Sequence, residues 1–108
     1  ILGDDKDCKN LAGWATKNVK KHQAKHFDYW VRNGGVSCIL LRMCDKSRWV
    51  IPWETLRPLW EQGKTLSMTN LEEIGYKWDY TEDESQPNYD WLRPLLRWVK
   101  EQQNGCNT

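Results

Sequence analysis

The strongest fold signal in the sequence is VSCILLRM, residues 36 to 43, a mostly apolar run of strand length. Such a run is typical of a strand that is buried in a sheet. Asp45, Lys46 and Ser47 follow it directly and are residues that favour a turn. A second strand is predicted over residues 48 to 51. The two strands and their short connection predict a β-hairpin.

A helix is predicted ahead of this hairpin. In residues 17 to 32, apolar and amide side chains recur at helical spacing, at Val19, Gln23, Phe27, Trp30 and Val31. The sequence Asn33-Gly34-Gly35 supplies residues that commonly end helices. Residues 1 to 6 read as the end of an earlier strand, and residues 9 to 16 as a loop. The order strand, helix, strand, strand and then helices predicts an α/β or α+β fold.

Three more helices are predicted after the hairpin. The first begins at Pro52 and ends at Gly63, and the second covers residues 69 to 75. Residues 81 to 88, TEDESQPN, are acidic and polar, which favours an exposed linker. The last helix covers residues 89 to 103, with Pro94 indicating a kink or a late helix start. The chain therefore divides into a core segment (1–80), a linker (81–88) and a C-terminal helix with its tail (89–108).

Composition excludes several classes of protein. The 108 residues carry 16 Lys and Arg against 15 Asp and Glu, so the chain is one domain and not a polycation. No apolar run reaches the ~18 residues of a membrane span, and no signal peptide is recognisable. The 4 cysteines and 2 histidines lack zinc-site spacing, which favours reduced thiols. Most of the 8 tryptophans are expected in the core or at its rim.

The first strand carries a candidate metal site in GDDKDCKN, residues 3 to 10. Side chains at positions i and i+2 of a strand point to the same face, so Asp4 and Lys6 share one. A carboxylate beside an ammonium group can hold a divalent cation close to a phosphate or an attacking water. The alternative interpretation is a solvated turn, because charge clusters after apolar runs are commonly turns.

Basic residues are concentrated near this strand. Residues 6 to 32 contain 7 Lys and Arg and 2 Asp, a net charge of +5. Four of them are spaced to share one face of the predicted helix, at Lys17, Lys20, Lys21 and Lys25. We call these four the lysine ridge. It is either a solvated helix face or a surface that contacts nucleic-acid phosphates, to which Lys9 would also belong. For His22 two interpretations stay open, a DNA contact of that surface and a polar residue at the helix start.

These motifs together resemble the RecU-type Holliday junction resolvase family. In that family, a [D/E]-x-K strand end is followed by an N-x-x-x-H-Q element, a glycine pair and an apolar strand. Here Asn18 and His22-Gln23 stand 12 and 16 residues after Lys6, and Gly34-Gly35 precede VSCILLRM. The segments PWETLRPLWEQ and NLEEIGYKW resemble later parts of the family pattern. The resemblance covers roughly residues 4 to 78.

The resemblance implies a fold and a reaction. The fold is the α/β restriction-endonuclease-like core of the PD-(D/E)xK nucleases, and the reaction is Mg²⁺- or Mn²⁺-dependent cleavage of branched DNA by a homodimer. Asp4 would ligate the metal together with the carbonyl oxygen of Asp5, Lys6 would assist the attacking water, and Gln23 would support the site. The alternative for Gln23 is a helix-face amide that is bonded to the backbone. The expected location is the cytoplasm of a bacterial cell or a phage-infected host.

The sequence departs from the family pattern in two ways. The family carries another metal-binding aspartate on a strand before the [D/E]-x-K strand, whereas the printed sequence begins at Ile1. The expected core therefore lacks its first strands here, and the metal site is incomplete. Gly3 also stands where the family has an apolar residue. Two alternatives therefore stay open: a non-catalytic DNA- or partner-binding module, and a Trp-rich structural domain with a fortuitous D-x-K triplet.

Overall fold

The computed structural model describes residues 2–10, 12–78 and 92–106. Short strands and helices alternate along this part of the chain. A 3₁₀ turn, Thr16–Asn18, lies between the second strand and the first helix. In chain order the elements are β1 (Leu2–Asp7), β2 (Trp14–Ala15), α1 (Lys21–Arg32), β3 (Ser37–Arg42), β4 (Arg48–Pro52), α2 (Trp53–Glu61), β5 (Thr65–Leu66), α3 (Met68–Ile74), β6 (Tyr76–Trp78) and α4 (Leu92–Cys106).

Four strands form a mixed sheet in the order β1-β3-β4-β6. The β1 and β3 strands are parallel, which requires a crossover connection, and α1 provides it. The β3–β4 pair is the predicted antiparallel hairpin, and β6 adds to β4 in the antiparallel sense. Two further short strands, β2 and β5, pair with each other outside this sheet. The α/β prediction is confirmed.

Helices cover both faces of the sheet. On one face, Ile39 and Ile51 pack in a cluster with residues of α1, α2 and α3, including Phe27 and Trp53. On the other face, Cys38 and Val50 pack with Leu95 and Trp98 of α4. Residues that alternate along β3 therefore point into two different apolar layers, which explains why VSCILLRM is apolar without a break.

The cysteines whose side chains the structure describes are Cys8, Cys38 and Cys44, and these are free thiols. Cys38 is fully buried, as predicted for a core residue. Burial raises the pKa of its thiol to about 11, because an apolar layer disfavours the charged thiolate. Cys38 is therefore a small packing residue and is not a reactive nucleophile.

Tryptophan side chains account for much of the larger apolar layer. Trp53 is 1% exposed, and its ring lies 5.2 Å from that of Phe27 and 5.6 Å from that of Trp60. Its indole Nε1 donates a 2.8 Å hydrogen bond to Asp28, and the Nε of Arg57 donates another of 2.9 Å. Partial burial raises the pKa of Asp28, but the bonds from Arg57 and Trp53 hold it below its usual value. The carboxylate thus ties α1 to α2.

Several predicted boundaries differ in the structure. The first strand reaches Asp7, one residue further than expected, and the first helix begins only at Lys21. Three short strands were not predicted: β2, β5 and β6. The final helix is described over Leu92–Cys106, beyond its predicted end at residue 103, and Pro94 lies within it. Its predicted first residues, 89–91, lie outside the described part of the chain. The linker predicted at 81–88 lies outside the described residues.

None of the helices in the described ranges is long and apolar enough to cross a membrane.

Candidate functional site

The side chains of β1 alternate between two environments. Leu2, Asp4 and Lys6 are partly buried, whereas the residues between them are exposed. In the parallel register, Asp4 lies opposite Ile39 and Lys6 opposite Leu41, so both side chains share the α1 face of the sheet with these core residues. The predicted same-face placement of Asp4 and Lys6 is therefore confirmed.

Asp4, Lys6 and Gln23 form one hydrogen-bonded cluster between β1 and α1. Lys6 Nζ lies 3.1 Å from Asp4 Oδ2, and Gln23 Nε2 donates to the same oxygen at 3.1 Å. Lys6 Nζ also donates to Gln23 Oε1 at 3.3 Å. The side chains of Lys6 and Asp4 are 19% and 32% exposed, so the cluster is half-buried but remains open to solvent.

Gln23 also determines how α1 begins. Its Oε1 accepts a 2.9 Å bond from the backbone N–H of Lys20, which has no intrahelical partner at a helix start. Because an N–H can only donate, Oε1 must face Lys20, and Nε2 is left to face Asp4. Gln23 is therefore both the backbone-bonded helix amide and the group that orients the Asp4 carboxylate.

A cavity of about 180 Å³ lies beside the cluster, between β1 and α1. Asp4 and Gln23 line it together with His26, which sequence reasoning did not select. His26 stands three positions after Gln23, and residues at this spacing are neighbours on a helix surface. The spacing of three could have indicated that His26 lies beside Gln23. It places His26 near the cluster only when Gln23 is known to face β1.

The lysine ridge differs from its predicted form. Only Lys21 and Lys25 are on α1, while Lys17 lies in the 3₁₀ turn and Lys20 caps the helix in an extended conformation. The prediction of four lysines on one helical face is therefore wrong. The helix starts late because the buried side chains of Thr16 and Val19 anchor the preceding segment. Thr16 Oγ1 also donates a 2.6 Å hydrogen bond to the carbonyl of Lys64.

All four ridge lysines are nevertheless exposed. Lys17 and Lys20 lie in the segment that leads into α1, and Lys21 and Lys25 lie in the first turns of the helix. Gln23 lies in the first of these turns. His22 is also exposed at the second residue of α1, and Lys9 is exposed in the loop after β1. The basic surface thus borders the cluster on the α1 side.

The backbone of β1 has one edge that points away from β3. Leu2 N–H donates to the carbonyl of Val36 and Cys8 N–H to that of Arg42, so the even-numbered residues of β1 bond to β3. In a parallel ladder, the N–H and C=O groups of the odd-numbered residues then face the other edge. The carbonyl of Asp5 is therefore directed to the outer edge of β1. The exposed side chain of Asp5 points away from α1.

The oxygen donors at this position fit a hard cation only in part. Both contacts to the Asp4 carboxylate are made at Oδ2. Within the described residues, no group of three or more His, Cys, Asp or Glu side chains could hold a metal ion. Mg²⁺ is commonly bound by one or two carboxylates and completes its shell with water and phosphate. Asp4 and the Asp5 carbonyl are suitable donors for a cation of that kind.

Comparison with known families gives one family match over most of the chain. The family described as RecU, Recombination protein U, matches residues 1–95, which is most of the chain. The chain belongs to the RecU family. Membership makes it a recombination protein similar to Holliday junction resolvases. The curated proteins contain no match to it.

The RecU match covers β1, α1, β3 and β4 without interruption. It therefore includes the whole Asp4–Lys6–Gln23 cluster and the lysine ridge. A fortuitous D-x-K triplet in an unrelated Trp-rich domain is not consistent with this match. The roles of the individual residues stay predictions.

Proposed function

We propose that this RecU family chain contributes the active site of a metal-dependent endonuclease that cuts branched DNA. The observation that carries the proposal is the hydrogen-bonded cluster of Asp4, Lys6 and Gln23 on the α1 face of β1. A carboxylate, an ammonium group and a neutral amide are held there by a strand and a helix, and rigid elements position functional groups more exactly than loops.

Asp4 would hold Mg²⁺ or Mn²⁺, with the Asp5 carbonyl as a further ligand. When bound, the cation would lower the pKa of a water molecule and neutralise charge on the phosphate. Lys6 would donate to the phosphate oxygens as negative charge grows on them. Gln23 keeps the Asp4 carboxylate and the Lys6 ammonium group in place, because it bonds to both and is itself anchored to the Lys20 backbone.

The lysine ridge would bind the DNA backbone beside this cluster. Its members are exposed, and none of them takes part in a salt bridge within the described residues. Each is therefore available to a phosphate group, and a DNA strand lying along the start of α1 would pass the Asp4 side chain.

The proposal extends to the fold and the assembly. The parallel β1–α1–β3 unit with an antiparallel β4 is compatible with a restriction-endonuclease-like core, in which a further strand would pair with the outer edge of β1. Symmetric cleavage of a four-way junction needs two sites related by a two-fold axis, so we expect the active form to be a homodimer.

Metal binding should depend on the Asp4 side chain. We expect Mn²⁺ titration followed by calorimetry to show weak binding, with a Kd on the order of 10⁻⁴ M or poorer, because the described residues offer few carboxylates. Asp4→Asn should weaken this binding further. Asp5→Asn is the matched control, since it removes an adjacent charge that points to the other face but keeps the main-chain carbonyl.

If Asp4→Asn binds Mn²⁺ as tightly as the parent, the assignment of Asp4 as a metal ligand is wrong. The same titration should be made with the parent protein in the form that its gene encodes. If that protein binds four-way junctions but no divalent cation, the result would favour the non-catalytic DNA-binding module.

The ridge should control the salt dependence of DNA binding. Each phosphate contact contributes about −0.9 to the slope of log K against log salt concentration. Replacing both Lys20 and Lys21 with alanine should make the slope shallower by up to about 2 and weaken binding to a four-way junction. Parent binding should also be tighter for the junction than for a plain duplex. An unchanged slope would place the DNA on another surface.

A further inference from the structure

A second and larger cavity, of about 310 Å³, lies where β1 and β3 end. Both strands run in the same direction, so their carboxyl ends meet at this edge of the sheet. Openings beyond the carboxyl ends of parallel strands are common binding places in α/β sheets. None of the residues in the Asp4–Lys6–Gln23 cluster lines this cavity.

The cavity is basic. Lys9, Arg42 and Lys46 line it, and Asp7 is the one acidic residue among its lining groups. The three cations are exposed and take part in no salt bridge within the described ranges of the chain. Cations converging on a cavity without a carboxylate for each of them form a site suited to an anion.

The wall that carries Lys46 is held in one conformation. In the β3–β4 turn, Lys46 N–H donates to the carbonyl of Met43 and Met43 N–H to that of Ser47, each at 2.9 Å. The Asp45 carboxylate accepts bonds from the Ser47 backbone and hydroxyl, which lower the pKa of Asp45. Both bonds are accepted by Oδ1, and Asp45 is not among the residues that line the cavity. Lys46 itself has a φ of 70°, in the left-handed region that tight turns use.

The wall that carries Lys9 is held as well. Cys8 Sγ donates to the carbonyl of Gly13 at 3.3 Å, and the side chain of Asn10 accepts from Ala12 N–H at 2.9 Å. Gly13 has a φ of 131°, and a Cβ there would lie 2.4 Å from the carbonyl oxygen of Leu66. Gly13 therefore packs against β5, and the bonds of Cys8 and Asn10 hold the residues on either side of Lys9.

We infer that this cavity binds a phosphate group of the DNA backbone through Lys9, Arg42 and Lys46. The inference rests on the proposed function and adds a second contact point to it. Asp4 and Asp7 are separated by about 10 Å along β1, at ~3.3 Å per residue. One DNA molecule can therefore reach both the Asp4–Lys6–Gln23 cluster and this cavity.

The test compares two variants that each lose two positive charges. Arg42→Gln/Lys46→Gln removes two of the cavity cations, and Lys64→Gln/Lys100→Gln removes two exposed lysines elsewhere. Binding of a labelled four-way junction is measured in Ca²⁺ over a range of salt concentrations. The cavity variant should have a slope of log K against log salt that is shallower by up to about 1.8, while the control slope stays within error of the parent slope.

Cys44 gives an independent readout, because it is exposed and lines the same cavity. Bound junction DNA should slow its alkylation, followed by mass spectrometry of the Cys44 peptide, at least several-fold in the parent and less in the cavity variant. Equal slopes for both double variants, or unchanged alkylation with DNA bound, would overturn the inference. Cleavage by the parent decides the proposed function separately, since binding slopes and Cys44 protection do not require cutting.

Discussion

Lys6→Ala should reduce single-turnover cleavage of a four-way junction by at least ~100-fold, while junction affinity falls little. Lys6 lies between the Asp4 carboxylate and the Gln23 amide. Under the proposed function, its ammonium group would contact a phosphate that is bound through a metal ion at Asp4. Its effect should be largest when negative charge grows in the transition state, because only interactions that strengthen there accelerate the reaction. Gel shifts in Ca²⁺ measure the affinity in parallel.

The lysine ridge supplies the control for this result. Lys20→Ala/Lys21→Ala should weaken binding, and its cleavage defect should shrink as the protein concentration rises to saturation. If Lys6 were only a solvated strand-end lysine, its removal would change the free energy of unfolding by less than about 0.5 kcal/mol and would leave cutting intact. Normal cutting by Lys6→Ala at saturating protein would leave Lys6 as a structural residue of β1 with no part in the reaction.

Trp53→Ala should lower the free energy of unfolding by about 3–5 kcal/mol, a large part of the stability of a small domain. Trp53 is almost fully buried, packs against Phe27 and Trp60, and bonds to Asp28. Its loss leaves a cavity between α1 and α2 and removes one of the bonds that satisfy the Asp28 carboxylate. Urea unfolding followed by far-UV circular dichroism measures the change.

Tyr29→Ala is the matched aromatic control, because Tyr29 is 61% exposed on α1. We expect it to change the free energy of unfolding by no more than about 0.5 kcal/mol. If Trp53→Ala lowers the free energy of unfolding as little as Tyr29→Ala does, the packing of α1 against α2 does not hold the fold together.

The elements with strong periodicity were predictable. The apolar run of β3, its hairpin partner β4 and the 3.6-residue pattern of α1 each carry a local signal that matches the structure. The strands β2, β5 and β6 have only two or three residues each, too few to show an alternation. Their pairing comes from tertiary packing, as when Trp14 lies opposite Leu66 in β5.

The candidate site was predictable where it depends on one strand. The period of two places Asp4 and Lys6 together whatever the rest of the chain does. Their contact with Gln23 depends on how the α1 crossover packs, which single-sequence reasoning cannot supply without the family resemblance. The same reasoning extended α1 back to Lys17, because exposed lysines carry no signal of where a helix begins. The sequence did not indicate that Arg42 and Lys46 line a cavity with Lys9. The parallel register of β1 and β3 brings them to it.

The most direct test of the central claim is metal-dependent cutting by the Asp4–Lys6–Gln23 cluster. A labelled four-way junction is incubated with saturating protein, in the form that its gene encodes, under single-turnover conditions with Mg²⁺, with Mn²⁺ or with a chelator. The account predicts symmetric cuts by the parent with either metal, none with the chelator, and none by Asp4→Asn although it still binds the junction. Cutting by Asp4→Asn at the parental rate, or an intact parent that binds junctions and never cuts them, would contradict it.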